Sequence, residues 1–162
     1  MEENTVRRVL FADLKDFCRQ AYVKAGVPAA EAEIVADFLA RSDLRGIETH
    51  GVTRLPIYIL RLQKGYVRKE CKLMAVKDKG PVAFLEAHGS MGHIAAYRSM
   101  EKAIAKTEEY GIGWVSVRDS GHFGVAGLFP MMALQKDFIG YVISNSAPYD
   151  VPMGRKGANH RQ

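Results

Sequence analysis

Glycine sets the reading of the first third of the chain. Gly26, Gly46 and Gly65 each follow a run whose apolar residues recur at helical spacing. Glycine ends helices readily because it enters the left-handed backbone region without a Cβ clash. Three helices joined by tight turns are therefore predicted. The first runs from about Val6 to Lys24, with Leu10, Leu14, Phe17 and Ala21 on its apolar face. Pro28 opens the second at its first turn, where a missing N–H costs nothing. Ile34, Val35, Phe38 and Leu39 form the buried stripe of that helix. The third covers about Thr53 to Gln63, with Leu55, Ile59 and Leu62 apolar and Pro56 tolerated near its start.

The period changes after Gly65. Leu73–Val76 and Val82–Glu86 read as short strands around a turn at Lys77-Asp-Lys-Gly-Pro. Gly89-Ser-Met-Gly92 leads into a helix over about Ile94–Tyr110, with Tyr97, Met100, Ala103 and Ile104 as its core face and Gly111 as its stop. Ile112–Val117 is a strongly apolar strand that carries the only tryptophan, Trp114. A helix over about Ala126–Gln135 and a buried strand over Ile139–Ser144 follow. Helices, a hairpin, a helix, a strand, a helix and a strand in that order predict a mixed α/β fold. With 162 residues, 48% of them hydrophobic, there is enough chain for one domain with a core.

Composition narrows the function classes. No apolar run reaches the ~18 residues of a membrane-spanning helix. Met1-Glu-Glu-Asn is acidic and lacks the apolar stretch of a secretory signal. Cys18 and Cys71 suit reduced thiols in a cytoplasmic protein better than a disulfide framework, and Cys18 reads as core. The formal charge is +5, with Lys64, Arg68, Lys69, Lys72, Lys77 and Lys79 in one region and Arg155, Lys156 and Arg161 in the tail. No zinc pattern, RNA-binding aromatic signature or base-reading basic helix accompanies them. The cluster reads as a solvated loop and hairpin, so neither a nucleic acid nor a membrane is expected as a partner.

Two segments carry chemistry. Asp43-Leu-Arg-Gly-Ile-Glu-Thr-His50-Gly-Val-Thr-Arg54 ends a helical run, and Ser116-Val-Arg-Asp-Ser-Gly-His122-Phe-Gly124 ends a strand. Each sets a histidine beside a glycine, so the backbone can turn tightly and approach a ligand. Histidine gives or takes a proton near neutral pH, and a guanidinium can hold a carboxylate with two parallel hydrogen bonds. An acid/base site for a small anion is the expectation. Arg54 lies four residues after His50, on the same face if the third helix begins near Gly51. Asp43 and Arg45 read equally as a helix-end charge pair. His88 and His93 flank Gly89-Ser-Met-Gly92 without further spaced ligands, so a helix-entry loop is expected there and no metal. Neither the Rossmann nor the Walker phosphate-binding pattern is present.

These segments, in this order, resemble the malate/L-lactate dehydrogenase family, the non-Rossmann type that includes ureidoglycolate and sulfolactate dehydrogenases. The matching pieces are Ala25-Gly-Val, the Asp43–Arg54 segment, Tyr58 with Arg61 and Gly65, Gly92-His-Ile-Ala, Ser120-Gly-His-Phe-Gly, Asn145-Ser-Ala-Pro and Val151-Pro-Met-Gly. The resemblance implies a hydride transfer between NAD or NADP and a small 2-hydroxy or 2-oxo acid. It implies that His122 is the catalytic acid/base, that Arg54, His50 and Thr49 bind substrate, and that Ser146 contacts the dinucleotide. Many family members carry serine at the place of Thr49. A homodimer is the family's common form.

The same comparison marks a departure. Members continue after Val-Pro-Met-Gly154 with a second glycine and a Gly-Thr-Asn-Pro motif, whereas here Arg155-Lys-Gly-Ala-Asn-His-Arg-Gln162 follows. The expectation is one partial domain, apparently truncated. Residues 1–70 form its helical part, 71–154 the start of its α/β nucleotide-binding part, and 155–162 a divergent tail. Apolar faces left without their usual cover predict self-association. The alternative function is a catalytically inactive chain that acts only by pairing with an intact subunit.

Overall fold

The computed structural model describes residues 8–145. Five α-helices and three strands follow one another as α1 (Phe11–Lys24), α2 (Ala29–Leu44), α3 (Leu55–Gln63), β1 (Met74–Lys79), β2 (Val82–Ser90), α4 (Gly92–Tyr110), β3 (Trp114–Ser120) and α5 (Pro130–Leu134). Single 3-10 turns at Glu48–His50 and Val52–Arg54 lead into α3, and another at Ala126–Leu128 precedes α5. The mixed α/β class expected from the sequence is the class observed.

The sheet runs in the order β1-β2-β3. β1 and β2 form an antiparallel hairpin, and β2 pairs in parallel with β3. A parallel pair needs a long crossover, and α4 supplies it. β2 alternates cleanly, with Ala83, Leu85 and Ala87 turned inward. The main core gathers Cys18 and Tyr22 of α1, Val35 and Leu39 of α2, Leu55, Tyr58 and Leu62 of α3, and Met91, Ile94 and Ala95 at the start of α4. Burying a Leu- or Val-sized side chain contributes about 1.5–3 kcal/mol, so this cluster is what holds the helices on the sheet. A buried carboxylate braces it. Glu31 of α2 accepts the Cys71 N–H at 2.9 Å and pairs with Arg98 of α4 at 2.7 Å.

Several local expectations shift. α1 buries Cys18 and Tyr22, while Leu10 and Phe17 from the expected apolar face stand exposed. Its buried line is set by where α2 packs, not by the apolar count. Lys77 to Lys79 extend β1, so the hairpin turn shrinks to Gly80-Pro81. The third helix starts at Leu55 rather than Thr53, because the backbone first makes the 3-10 turn Val52–Arg54. The helix expected over Ala126–Gln135 is split by a 3-10 turn, with Pro130 at the first position of α5. Ile139–Ser144 is not a strand, and Ile139 is 99% exposed. Apolar content alone makes no strand. The backbone groups need a ladder, and none pairs this segment with β3, although the Tyr141 ring lies 6.3 Å from that of Trp114. Trp114 itself is half exposed.

Candidate functional site

The Asp43–Arg54 segment is tied into a knot by its own side chains. Asp43 accepts the Val52 N–H at 2.7 Å. Gly51 passes so close that a Cβ there would lie 1.9 Å from the same carboxylate. Thr53 Oγ1 donates to the Glu48 carbonyl at 2.5 Å, and Arg54 Nε donates to the Thr49 carbonyl at 2.6 Å. Thr49 Oγ1 lies 3.0 Å from His50 Nδ1. Asp43, which the sequence left as a possible charge-pair member, is the clamp of this turn.

The second half of the site sits where β2 and β3 end side by side. The Gly121 N–H donates to the Ser90 carbonyl at 2.9 Å. At the start of α4, a Cβ on Gly92 would fall 2.0 Å from the Gly121 carbonyl. The loop carrying His122 therefore lies directly on the helix entrance, a contact that only glycine permits.

The two halves meet at His122. The Tyr58 hydroxyl, one helical turn beyond Arg54, lies 2.7 Å from His122 Nδ1. The Gly124 N–H donates to the same nitrogen at 3.2 Å. The His50 ring stacks on the His122 ring, with centroids 5.5 Å apart and planes 25° apart. His122 stays open to solvent on one side. Partial burial, with His50, Arg54 and Arg61 nearby, holds its imidazole below the ordinary histidine range. Burial raises the Tyr58 phenol, against the opposing pull of Arg54 and Arg61. At neutral pH both groups are uncharged.

Behind this pair is a small cavity with room for about one water-sized group (≈ 10 Å³). Tyr58, Arg61, Leu62, Met91, His93 and His122 are among its walls. His93 is fully enclosed, and burial, reinforced by His122 and His50, drives its pKa down to about 3.

Of the expected site residues, the fold brings His122, His50, Thr49 and Arg54 into one region. Arg54 and Thr49 are exposed, so a ligand can reach them. They do not lie on one face of a regular helix, because two 3-10 turns intervene. Ser146 lies outside the described residues. Tyr58 was quoted only as part of the resemblance, although its spacing of four from Arg54 already placed it on Arg54's side of α3. His93, expected in a helix-entry loop, is the second residue of α4 and is buried, which its spacing did not signal. Among the described residues no group of three or more His, Cys, Asp or Glu side chains is arranged to hold a metal, and no helix is long and apolar enough to cross a membrane. The lysines of the basic cluster are exposed.

The chain matches the malate/L-lactate dehydrogenase family over residues 9–159. It is 38% identical over 154 residues to a malate dehydrogenase of Pyrococcus horikoshii, covering 95% of this chain and 42% of that protein. It is 40% identical over 128 residues to an L-sulfolactate dehydrogenase of Methanothermobacter thermautotrophicus, covering 79% of this chain and 38% of the relative. The solved structure of the P. horikoshii malate dehydrogenase superposes with a TM-score of 0.81 at 36% identity, over 83% of this chain and 38% of that structure. The chain thus spans about two-fifths of the length of the relatives it matches.

Proposed function

The chain belongs to the malate/L-lactate dehydrogenase family, and from that premise we propose that it carries the acid/base half of an oxidoreductase that interconverts a small 2-hydroxy acid and its 2-oxo acid. NAD or NADP would supply the hydride chemistry when bound. The described residues fit the substrate, since an open imidazole flanked by cations faces outward. Ser146, proposed to contact the dinucleotide, lies outside the described residues. Arg54 is proposed to hold the substrate carboxylate, with His50 and Thr49 lining the site.

The observation that carries this reading is the contact between Tyr58 and His122 Nδ1. The Gly124 N–H can only donate, so Nδ1 accepts from it, and the Tyr58 hydroxyl donates there as well. The proton of neutral His122 then sits on Nε2. When His122 is protonated, Nδ1–H turns donor to the rotated Tyr58 oxygen, and the longer bond from the Gly124 N–H is given up. Imidazolium can give its Nε2 proton to the oxygen of a 2-oxo acid as that acid is reduced. What remains is a neutral ring with its proton on Nδ1, held by Tyr58, and a bare Nε2. That form can take the hydroxyl proton in the reverse reaction. A phenol that accepts and donates in turn lets one histidine serve both directions.

The test is NADH or NADPH oxidation with a panel of 2-oxo acids, comparing the protein with His122→Ala. A loss of roughly 10²–10⁴-fold with the circular dichroism unchanged is expected. Turnover kept within a few-fold would remove His122 from the acid/base role. A parent protein silent with every 2-oxo acid would favour the second reading, association with an intact subunit. That reading is supported by exposed Ile112, Trp114, Tyr141 and Ile143 at and around the outer edge of the sheet. Size-exclusion chromatography of the chain alone and mixed with a relative separates a homodimer from a mixed species.

A further inference from the structure

His122 Nδ1 has two partners from distant parts of the chain, and both rest on one side chain. The His93 ring meets Tyr58 edge to face, with centroids 5.2 Å apart and planes 82° apart. On its other side a Cβ at Gly124 would lie 2.6 Å from His93 Nε2. Phe38 closes a further side at 6.4 Å, again edge-on. His93 is 1% exposed, and neither ring nitrogen has a hydrogen-bond partner among the described residues. A buried polar group left this way is destabilising, so packing alone would favour an apolar residue. A five-membered ring does what a phenyl or an aliphatic chain does less well: it is flat, and small enough to sit between Tyr58 and the Gly124 backbone.

We propose that His93 is a positioning residue for His122, holding the Tyr58 hydroxyl and the Gly124 amide on Nδ1. The inference rests on the acid/base reading of His122 given above. An uncharged ring suits the place. The groups that face His122 are His50 on the first 3-10 turn, Arg54 at the end of the second, and Tyr58 and Arg61 on α3. Charge on His93 would oppose protonation of His122, and burial keeps that charge off. Neutral His93 orients the acid/base group without competing for its proton.

The experiment reads the imidazole nitrogens of His122 by NMR in the ¹⁵N-labelled 162-residue chain, with pH titration, and needs no turnover. In the unaltered protein His122 is expected as one tautomer, with its proton on Nε2; a rapidly averaging ring would overturn the proposal outright. In His93→Gln, His122 is expected to average between tautomers. Its titration midpoint should rise by roughly half a pH unit or more, because the donors to Nδ1 are released. His93→Leu, which keeps the bulk but loses the flat ring, should move both readouts the same way if His93→Gln does not fold. A folded variant with lowered thermal stability but wild-type His122 nitrogens would show His93 to be packing only. His122→Ala turnover tests the acid/base reading separately, so failure of either idea leaves a different signature.

Discussion

The two histidine-bearing segments are held in opposite ways. Around His50, the side-chain hydrogen bonds of Asp43, Thr49, Thr53 and Arg54 join residues within the stretch Asp43–Arg54, while Arg45 reaches Met131. Around His122, the contacts reach Tyr58, Ser90, Gly92 and His93, between about thirty and sixty-four residues away in sequence. The first segment makes its own shape. The second has its shape imposed by the helices and strands that meet there. The imposed segment also carries the residue with the tuned acidity, since the groups that lower the His122 pKa arrive from the other half of the site. The His122 segment needs the whole fold to take its shape, while the His50 turn is set mainly by its own residues.

Substitutions can break either kind of support. The largest effect should come from Gly92→Ala, which drives a methyl into the Gly121 backbone at 2.0 Å. Neither partner is a flexible side-chain end, so a loss of about 3 kcal/mol or more, or failure to fold, is expected. A urea midpoint within error of wild type would show that the loop yields freely.

The next effect is pH dependence. The folded pKa of His93, about 3, is below its unfolded value near 6.5. The unfolded chain therefore binds the extra proton, and stability is full above about pH 6.5 and falls as pH drops toward 3. Between pH 7 and pH 5 His93 alone should remove about 2 kcal/mol. His122, also lowered, adds to the loss in the same direction. Urea titrations at both pH values, with His93→Leu as the comparison, measure it; equal slopes in the two proteins would count against a neutral buried His93.

Asp43→Ala strikes the self-made turn. It orphans the Val52 N–H and should cost about 1–2 kcal/mol. The sharper expectation is selectivity: amide shifts should move over residues 43–54 and leave Gly121–Gly124 nearly in place. Movement of both segments together would merge what is here treated as two supports. The smallest stability effect belongs to Tyr58→Phe, under about 1.5 kcal/mol, since only one hydroxyl is lost. Its signature is the His122 titration midpoint, which should rise once the phenol no longer donates to Nδ1. A midpoint that falls would mean that the bond Tyr58 accepts from protonated His122 outweighs the one it donates to the neutral ring.

Local rules read much of the helical half correctly. Gly26, Gly46 and Gly65 all adopt positive φ at the ends of helices, as their places in the sequence implied. Pro28 directly precedes α2, and the β1–β2 hairpin lies where the period changes to two. These features depend on neighbours a few residues apart, and so they are legible from spacing alone. The family resemblance pointed to His122, His50, Thr49 and Arg54, which the fold brings into one region and whose roles are proposals.

Other features needed the third dimension. That Cys18 and Tyr22 rather than Leu10 and Phe17 face inward follows from the angle at which α2 lies on α1. That Ile139–Ser144 forms no strand follows from the lack of a ladder on β3, which no apolar count reveals. That Tyr58 touches His122 across 64 residues of sequence, with His93 behind both, is decided where α3, α4 and the ends of β2 and β3 converge. Chain-local interactions choose the elements and where they stop. Which side chains then share a hydrogen bond, and which titratable group is stripped of water, depends on packing among elements that the sequence keeps far apart.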